Sequence, residues 1–210
     1  MGIVKLDQHS PEWLQWRKEG IGASDSGIIM GVNPWRSIDQ LLDEKTADDI
    51  FQMKPNKAMQ RGIDLEPVAR MLHTKRTMIE MPPVVMEDEE NPFLKASLDG
   101  YSQQHNVSLE IKVPRKEDHM CAYQGRVPDK YIYQCQHILM VSKAKILHYV
   151  SYNGKSIHNV YVLPDKTIQA QLLDKEKEFW GEVLKRREDK KNGLIPEPKP
   201  SSVRRVRMTR

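Results

Sequence analysis

The chain has 210 residues, enough for one domain of ordinary size, and its 39% hydrophobic and 30% charged residues exclude a disordered protein. No apolar run approaches the roughly 20 residues that cross a bilayer, and residues 1–9 lack the apolar stretch of a signal peptide, so we expect a cytoplasmic protein. The net charge of +4 arises from residues 186–210, which carry nine Lys or Arg and three acids, and it therefore indicates no general affinity for nucleic acid.

The amino-terminal third of the chain is rich in helix signals. Helices are predicted at residues 11–18, within 20–31, at 37–46 and at 61–77. Ser10 is placed to cap the first of them, with Pro11 at its first position. Residues 47–60 are polar and predict a loop, so Pro67 must lie near the first turn of the fourth helix or kink it.

From Met81 onward the apolar period changes towards two, which is typical of strands. Strands are predicted at residues 84–86, 94–101, 107–113, 146–152 and 156–163, and further helices at 115–125, 130–142 and 165–190. This order predicts an α/β protein of the α+β type, in which a mixed central β-sheet is flanked by helices. Residues 1–190 would form the single domain, and residues 191–210 a basic, proline-containing tail that we expect to be mobile.

One predicted strand combines a buried face with a charged face. In residues 107–113, Glu110 and Lys112 point to the same side because strand residues two apart share a face. If the turn at residues 102–106 joins this strand to the preceding one, Asp99 lies opposite Glu110. Two carboxylates and a backbone carbonyl suit a hard divalent cation such as Mg²⁺ or Mn²⁺, and Lys112 would hold a water and offset charge on phosphorus.

The acid-x-lysine pattern is weak evidence by itself. It occurs five times in the chain, and its default interpretation is a solvent-facing salt pair. Only the copy at Glu110 lies in an alternating strand that follows an aspartate on the preceding strand. That context raises the catalytic interpretation to equal weight with the structural one.

Several short motifs occur together in a fixed order between Trp13 and Leu163. They are Trp13-x-x-x-Arg17, Gly20-Ile21-Gly22-Ala23-Ser24-Asp25, Arg61-Gly62-x-x-x-Glu66-Pro67-x-Ala69, Ser97-x-Asp99-Gly100, Glu110-x-Lys112 and Tyr131-x-x-Gln134-x-Gln136. In this combination the chain resembles the YqaJ-type viral recombinase nucleases, a family within the PD-(D/E)xK nucleases. Residues 32–60 and the chain after about Lys185 fall outside the resemblance.

The resemblance implies a restriction-endonuclease-like core and a Mg²⁺-dependent exonuclease, with Mn²⁺ able to substitute. Such an enzyme degrades the 5′-ended strand of double-stranded DNA ends and leaves 3′ single strands for phage-type recombination. The implied metal ligands are Asp99, Glu110 and the carbonyl of Ile111, and Lys112 is the implied catalytic lysine. Glu66 and Gln134 map to supporting active-site positions, and a 5′-phosphate pocket maps to Arg17, Ser24 and Ser97.

The resemblance also implies a homotrimeric ring, a single-strand annealing recombinase as partner, and a phage or prophage gene expressed in a bacterial host. Two other functions stay open: an endonuclease of the same fold, and a non-catalytic protein that binds DNA ends. The phosphate pocket favours an enzyme acting on ends, and the presence of Asp99, Glu110 and Lys112 together argues against a non-catalytic protein.

Each implied site residue also has a structural interpretation. Arg17 could be a surface arginine, Ser24 a helix cap, Glu66 a first-turn acid that interacts with the helix dipole, and Gln134 a buried amide bonded to backbone. A further set of aromatic and imidazole side chains is interpreted as structural. It comprises Trp13, Trp16, Phe179 and Trp180 as packing groups, and His119 and His137 as surface or supporting residues.

Overall fold

The computed structural model of the protein describes residues 2–50 and 54–194. Most of the tail predicted from residue 191 therefore lies outside the described residues. The amino-terminal half contains, in chain order, β1 (Gly2–Val4), α1 (Pro11–Lys18), β2 (Ile21–Gly22), a 3-10 helix (Ala23–Asp25), α2 (Ser26–Ile29), α3 (Ile38–Thr46), α4 (Lys57–Thr77), β3 (Val84–Glu87) and β4 (Leu94–Leu98). The rest contains β5 (Gly100–Ser102), β6 (Val107–Lys112), α5 (Lys116–Tyr123), α6 (Asp129–Ser142), β7 (Ile146–Tyr152), β8 (Ile157–Val162) and α7 (Lys166–Lys191).

The capping residues explain where the helices begin. The Ser10 side chain accepts a hydrogen bond from the Trp13 N–H at the start of α1, as predicted. α4 begins four residues earlier than predicted, because the Asn56 side chain accepts from the N–H groups of Ala58 and Met59. Pro67 consequently lies in the interior of α4, so of the two predicted alternatives the first-turn position is excluded.

In the described part of the chain, eight strands form two four-stranded mixed sheets rather than one continuous central sheet. The strand predicted over residues 94–101 divides at Asp99, so that β4 and β5 belong to different sheets. The first sheet has the order β1-β3-β4-β2, and the second has the order β5-β6-β7-β8. The two short strands β1 and β2 were not predicted, since two or three residues carry no recognisable alternation.

The register of the second sheet confirms the pairing predicted from the turn. β5 and β6 are antiparallel with Gly100 opposite Leu109, which places Asp99 across from Glu110. β6 then runs parallel to β7, and β7 pairs with β8 through the predicted hairpin. Gly154 in that turn has a φ of +94°, a conformation that glycine adopts without steric cost.

Helices cover both faces of the second sheet. Leu109, Ile111 and Val150 pack with Ala69 of α4 on one face. Leu147 and Tyr149 pack with residues of α6 such as Ile138 on the other face. This arrangement buries almost all of β6 and presents only its carboxyl end to solvent. Cys121 and Cys135 are free thiols. No helix among the described residues has the length and apolarity needed to cross a bilayer.

Candidate active site

Asp99 lies at the junction between the two sheets. Its Oδ2 accepts a hydrogen bond from the backbone N–H of Ile111 at 2.6 Å, which ties the carboxylate to β6. The next residue must be glycine, because a Cβ at Gly100 would lie only 2.6 Å from the carbonyl oxygen of Met81. The Asp99-Gly100 pair therefore positions the carboxylate where β5 begins.

Glu110 is 2% exposed and accepts two hydrogen bonds on the same oxygen. Lys112 Nζ lies 2.5 Å from Glu110 Oε1, and Gln134 Nε2 on α6 donates to that oxygen at 2.7 Å. Gln134 thus contacts the acid directly, and the interpretation of an amide bonded only to backbone is wrong. Lys112 also lies 5.2 Å from the centre of the Tyr131 ring, one turn before Gln134.

Glu66 reaches the same place from the middle of α4. Its side chain forms an ion pair with Arg70, one turn further along the helix, and Arg70 Nε donates to the carbonyl oxygen of Asp99 at 2.7 Å. Because Glu66 is in the helix interior, the interpretation of a first-turn acid at the helix dipole is wrong. Sequence reasoning missed Arg70, although an arginine four residues after a candidate site acid is a usable signal.

Asp99, Glu110 and Glu66, together with Lys112 and Gln134, form what we call the acidic cluster. Burial raises the pKa of Asp99 well above its ordinary value, and the neighbouring Glu110 and Glu66 carboxylates raise it further. Burial, with Glu110, also raises the pKa of Glu66 despite the opposing charge of Arg70. Burial lowers the pKa of Lys112, but the carboxylates of Glu110 and Asp99 outweigh it, so that the net pKa is raised and the lysine stays a cation.

The donor set of the acidic cluster fits a hard divalent cation. Asp99, Glu110 and the carbonyl of Ile111 supply oxygen atoms, the type of ligand that Mg²⁺ and Mn²⁺ prefer. Besides burial, repulsion from Glu110 and Glu66 raises the pKa of Asp99, and a cation bound between the carboxylates would relieve that repulsion. Over residues 2–50 and 54–194 no group of three or more His, Cys, Asp or Glu side chains is arranged for a metal, so a cation bound here would need the backbone carbonyl as a third protein ligand.

The predicted phosphate residues are brought together through Trp13. Arg17 Nη2 donates to Ser24 Oγ at 3.1 Å, and the Arg17 guanidinium lies 4.7 Å from the centre of the Trp13 ring. Trp13 Nε1 in turn donates to Ser97 Oγ at 2.8 Å. We call these four residues the Arg17 cluster. Trp13 is buried as predicted, but it also links Arg17 to Ser97, a role that sequence reasoning missed.

Ser24 and Ser97 keep their hydroxyl groups near the surface. Ser24 is exposed in the 3-10 helix whose N-cap is Gly22, so the interpretation of Ser24 as a helix cap is wrong. Ser97 lies two residues before Asp99, and this short segment connects the Arg17 cluster to the acidic cluster along the chain. Asp99 itself belongs to neither sheet, because the strand predicted over residues 94–101 is interrupted there, so Ser97 and Asp99 do not share a strand face.

His119 and His137, interpreted from the sequence as surface or supporting residues, are both buried, so a surface position is excluded for each. His137 is fully buried, and its ring nitrogens contact Glu176 Oε1 at 2.7 Å and the carbonyl oxygen of Lys95 at 3.0 Å. His119 is also buried, between the hydroxyl groups of Ser151 and Ser156. Their partners are distant in sequence, which is why helix periodicity alone could not predict the burial.

Residues 12–145 match the YqaJ-like viral recombinase domain, so the chain belongs to that family. The curated relative "Uncharacterized protein YqaJ" from Bacillus subtilis (strain 168) is 26% identical over 178 residues. That match covers 82% of this chain and 56% of the relative, so the chain spans about half the length of that protein.

Solved structures resemble the fold over most of its length. The alkaline exonuclease LHK-Exo from Laribacter hongkongensis has a TM-score of 0.76 at 22% identity, covering 88% of this chain and 98% of its own. A phage related exonuclease from Haemophilus somnus 129PT has a TM-score of 0.55 at 16% identity, covering 84% of this chain and 96% of its own. The predicted α+β, restriction-endonuclease-like fold is therefore confirmed.

Proposed function

We propose that this protein is a metal-dependent exonuclease that degrades the 5′-ended strand of duplex DNA and leaves 3′ single strands for recombination. The observation that carries the proposal is the junction at residues 97–99. There a cluster suited to a divalent cation adjoins a cluster suited to a phosphate, separated by one residue of the chain. The names of the solved relatives, both exonucleases, favour the same activity.

The side chains of the acidic cluster would divide the work of hydrolysis. A divalent cation held by Asp99, Glu110 and the Ile111 carbonyl would polarise the phosphoryl group and lower the pKa of a bound water. Lys112 stays protonated, so its role is to donate to the nucleophilic water and to offset negative charge that develops on phosphorus. Gln134 orients Glu110, and Arg70 fixes both Glu66 and the Asp99 backbone.

The Arg17 cluster would set the polarity of digestion. A guanidinium binds phosphate by two parallel hydrogen bonds, and the hydroxyl groups of Ser24 and Ser97 add donors on either side. An end that carries a 5′-phosphate would be held there, with the first phosphodiester at the acidic cluster. An internal position on a closed circle offers no terminal phosphate, which separates this exonuclease from an endonuclease of the same fold.

The direct test uses linear duplex DNA labelled at either the 5′ or the 3′ end, and a closed circular duplex, each incubated with Mg²⁺ or with EDTA. We expect rapid release of the 5′ label from linear DNA with Mg²⁺, and an intact circle. Asp99→Asn should abolish release, whereas the matched variant Asp174→Asn, at an exposed position of α7, should behave as the wild type. Cutting of the circle at a comparable rate would overturn the exonuclease in favour of the endonuclease.

We further propose a ring of three copies that encloses DNA. An exposed apolar ridge at intervals of four residues on α4, formed by Met59, Ile63, Pro67 and Met71, offers surface for such an interface. Mass photometry should show three chains for the wild type and smaller particles for Ile63→Asp. A wild-type particle that stays monomeric at working concentration would contradict the ring.

A further inference from the structure

A second concave site lies beside the acidic cluster, where β6 ends and α5 begins. It has a volume of about 660 Å³, within the range of about 300–1,000 Å³ typical of ligand sites. We call it the basic groove. Its lining includes four cations and two exposed or half-buried rings, namely Arg61, Arg115, Lys116, Lys155, Tyr123 and His158. No described residue that lines the groove is acidic.

The cations of the basic groove are available to a ligand. Among residues 2–50 and 54–194, Arg115, Lys116 and Lys155 form no ion pair with an acid. By contrast, many other basic side chains of the protein form ion pairs, such as Lys130 with Asp118 of α5. A set of unpaired cations facing one cavity is favourable to a polyanion and costs stability without one.

The aromatic side chains add a flat surface to the charged lining of the groove. Tyr123 is 65% exposed, and its ring meets the His158 ring edge-on with 5.2 Å between centroids. His158 in turn lies 4.8 Å from the buried His119 ring, which the hydroxyl groups of Ser151 and Ser156 hold in place. An exposed ring backed by a fixed one is suited to stack with an unpaired nucleobase.

The basic groove is also connected to the acidic cluster. Ser151, which bonds His119 at the base of the groove, is the register partner of Lys112 on the adjacent parallel strand. Pro114 and Arg115, which line the groove, follow Lys112 by two and three residues. Neighbouring strands are about 4.8 Å apart, so Ser151 and the His119 ring bonded to it lie beside the carboxyl end of β6, which carries Lys112.

We propose that the basic groove binds single-stranded DNA, with phosphates on Arg115, Lys116 and Lys155 and a base stacked on Tyr123. Single-stranded DNA is favoured over duplex because the faces of paired bases are covered by their neighbours and cannot reach an aromatic ring. The inference rests on the proposed function for the source of that strand, which is the uncut strand released beside the acidic cluster. Binding itself requires no cleavage and can be measured separately.

The test is fluorescence anisotropy in EDTA, where no cleavage occurs, with a labelled single strand about 12 nucleotides long and the matching duplex. Lys116→Glu with Lys155→Glu should weaken binding of the single strand by about tenfold or more and flatten its salt dependence. Tyr123→Ala should weaken it by roughly 5- to 100-fold. The control for charge is Lys166→Glu with Lys177→Glu, an equal change at exposed positions of α7, and Tyr161→Ala is the control for ring loss.

The outcomes separate this inference from the proposed function. Groove variants that bind the single strand as tightly as the control variants would overturn the inference, as would a wild type that binds only the duplex. If the wild type binds single strands through the groove but releases no label with Mg²⁺, the groove stands and the exonuclease fails. If the wild type releases label and the groove variants retain full affinity, the exonuclease stands and the groove fails.

Discussion

The acidic cluster and the Arg17 cluster meet at residues 97–99, yet they are built in opposite ways. The acidic cluster crowds like charges at the end of a buried strand, where Glu110 is 2% exposed and the pKa of Asp99 is raised. The Arg17 cluster instead combines one cation and two hydroxyl groups on residues that stay at least partly exposed, with Trp13 as its only buried member. One is arranged to attract a cation and the other to receive an anion.

The contrast teaches which interactions the rest of the fold must supply. Crowded carboxylates are costly, so the acidic cluster needs fixed partners, and Lys112, Gln134 and Arg70 provide them from three different elements. A half-buried arginine needs only orientation, which Trp13 and Ser24 give to Arg17. Variants in the acidic cluster should therefore affect chemistry most, and variants in the Arg17 cluster should affect the choice of DNA end.

The largest effect should follow the loss of Lys112. Lys112→Ala removes the group that stabilises charge at phosphorus, and the expected fall in cleavage rate is on the order of a thousandfold. Because Lys112 competes for Glu110 Oε1, the variant should bind Mn²⁺ at least as tightly as the wild type. Initial rates on linear duplex and calorimetric titration with Mn²⁺ measure the two quantities.

A matched variant tests whether the acidic cluster acts through position or through charge alone. Lys145→Ala removes an exposed lysine next to β7 and should leave both rate and metal affinity unchanged. If Lys112→Ala lost the metal along with the rate, the lysine would be structural, and the division between water and metal within the cluster would be wrong.

How far these clusters could be predicted depends on the distance between their parts in the sequence. The Asp99–Glu110 pairing was predictable because a short turn fixes the register of a hairpin, and the structure confirms it. The interruption at Asp99 that separates β4 from β5 was not predictable, because the residues from Leu94 to Tyr101 have the pattern of one continuous strand. Trp13 and Ser97 are 84 residues apart, so no local pattern could reveal the hydrogen bond that joins them.

The start of α4 shows a different limit. Its first turn, residues 57–60, has no apolar periodicity, and only the Asn56 side chain fixes it as helix. The interior positions of Glu66 and Pro67 depend on that start. The sequence motifs thus indicated which side chains lie close together more reliably than where on their helices those side chains lie.

A smaller effect is expected in the Arg17 cluster. Charge-assisted contacts to phosphate contribute about 1.5–3 kcal/mol each, so the wild type should prefer 5′-phosphorylated ends over 5′-hydroxyl ends by roughly tenfold to a hundredfold. Arg17→Ala should remove most of that preference while leaving Mn²⁺ affinity unchanged. Initial rates on the two substrates give the ratio, and Arg76→Ala, an exposed arginine near the end of α4, is the control.

Arg17→Lys sharpens the same comparison, because it keeps the charge but loses the two-point geometry of the guanidinium. We expect an intermediate preference for this variant. A wild type that does not distinguish the two ends would contradict the phosphate role of the cluster, whatever the variants do.

The smallest effect concerns α4, the helix that carries Glu66 and Arg70 into the acidic cluster. One turn beyond Arg70, His73 is fully buried, and its Nε2 contacts His148 Nδ1 on β7 at 3.0 Å. Burial and the neighbouring His148 lower the pKa of His73 from 6.5 to about 4. Burial also lowers the pKa of His148. Burial lowers the pKa of His137 as well, but the Glu176 carboxylate outweighs it, so the pKa of His137 is raised and its effect on the pH dependence of stability has the opposite sign.

The sign of the pH dependence follows from where each state takes up its proton. Unfolded His73 binds a proton below about pH 6.5, but the folded side chain resists protonation until about pH 4. Its contribution to stability is therefore constant above that window and is lost as the pH falls through it, by about 1–2 kcal/mol between pH 6.5 and 5.

His73→Gln should lower stability at neutral pH by losing the contact, yet show a shallower decline on acidification. Urea unfolding at several pH values between 5 and 7 gives both slopes, with His105→Gln in the exposed turn before β6 as the control. An unchanged slope in His73→Gln would show that the attachment of α4 to the second sheet does not depend on a neutral His73.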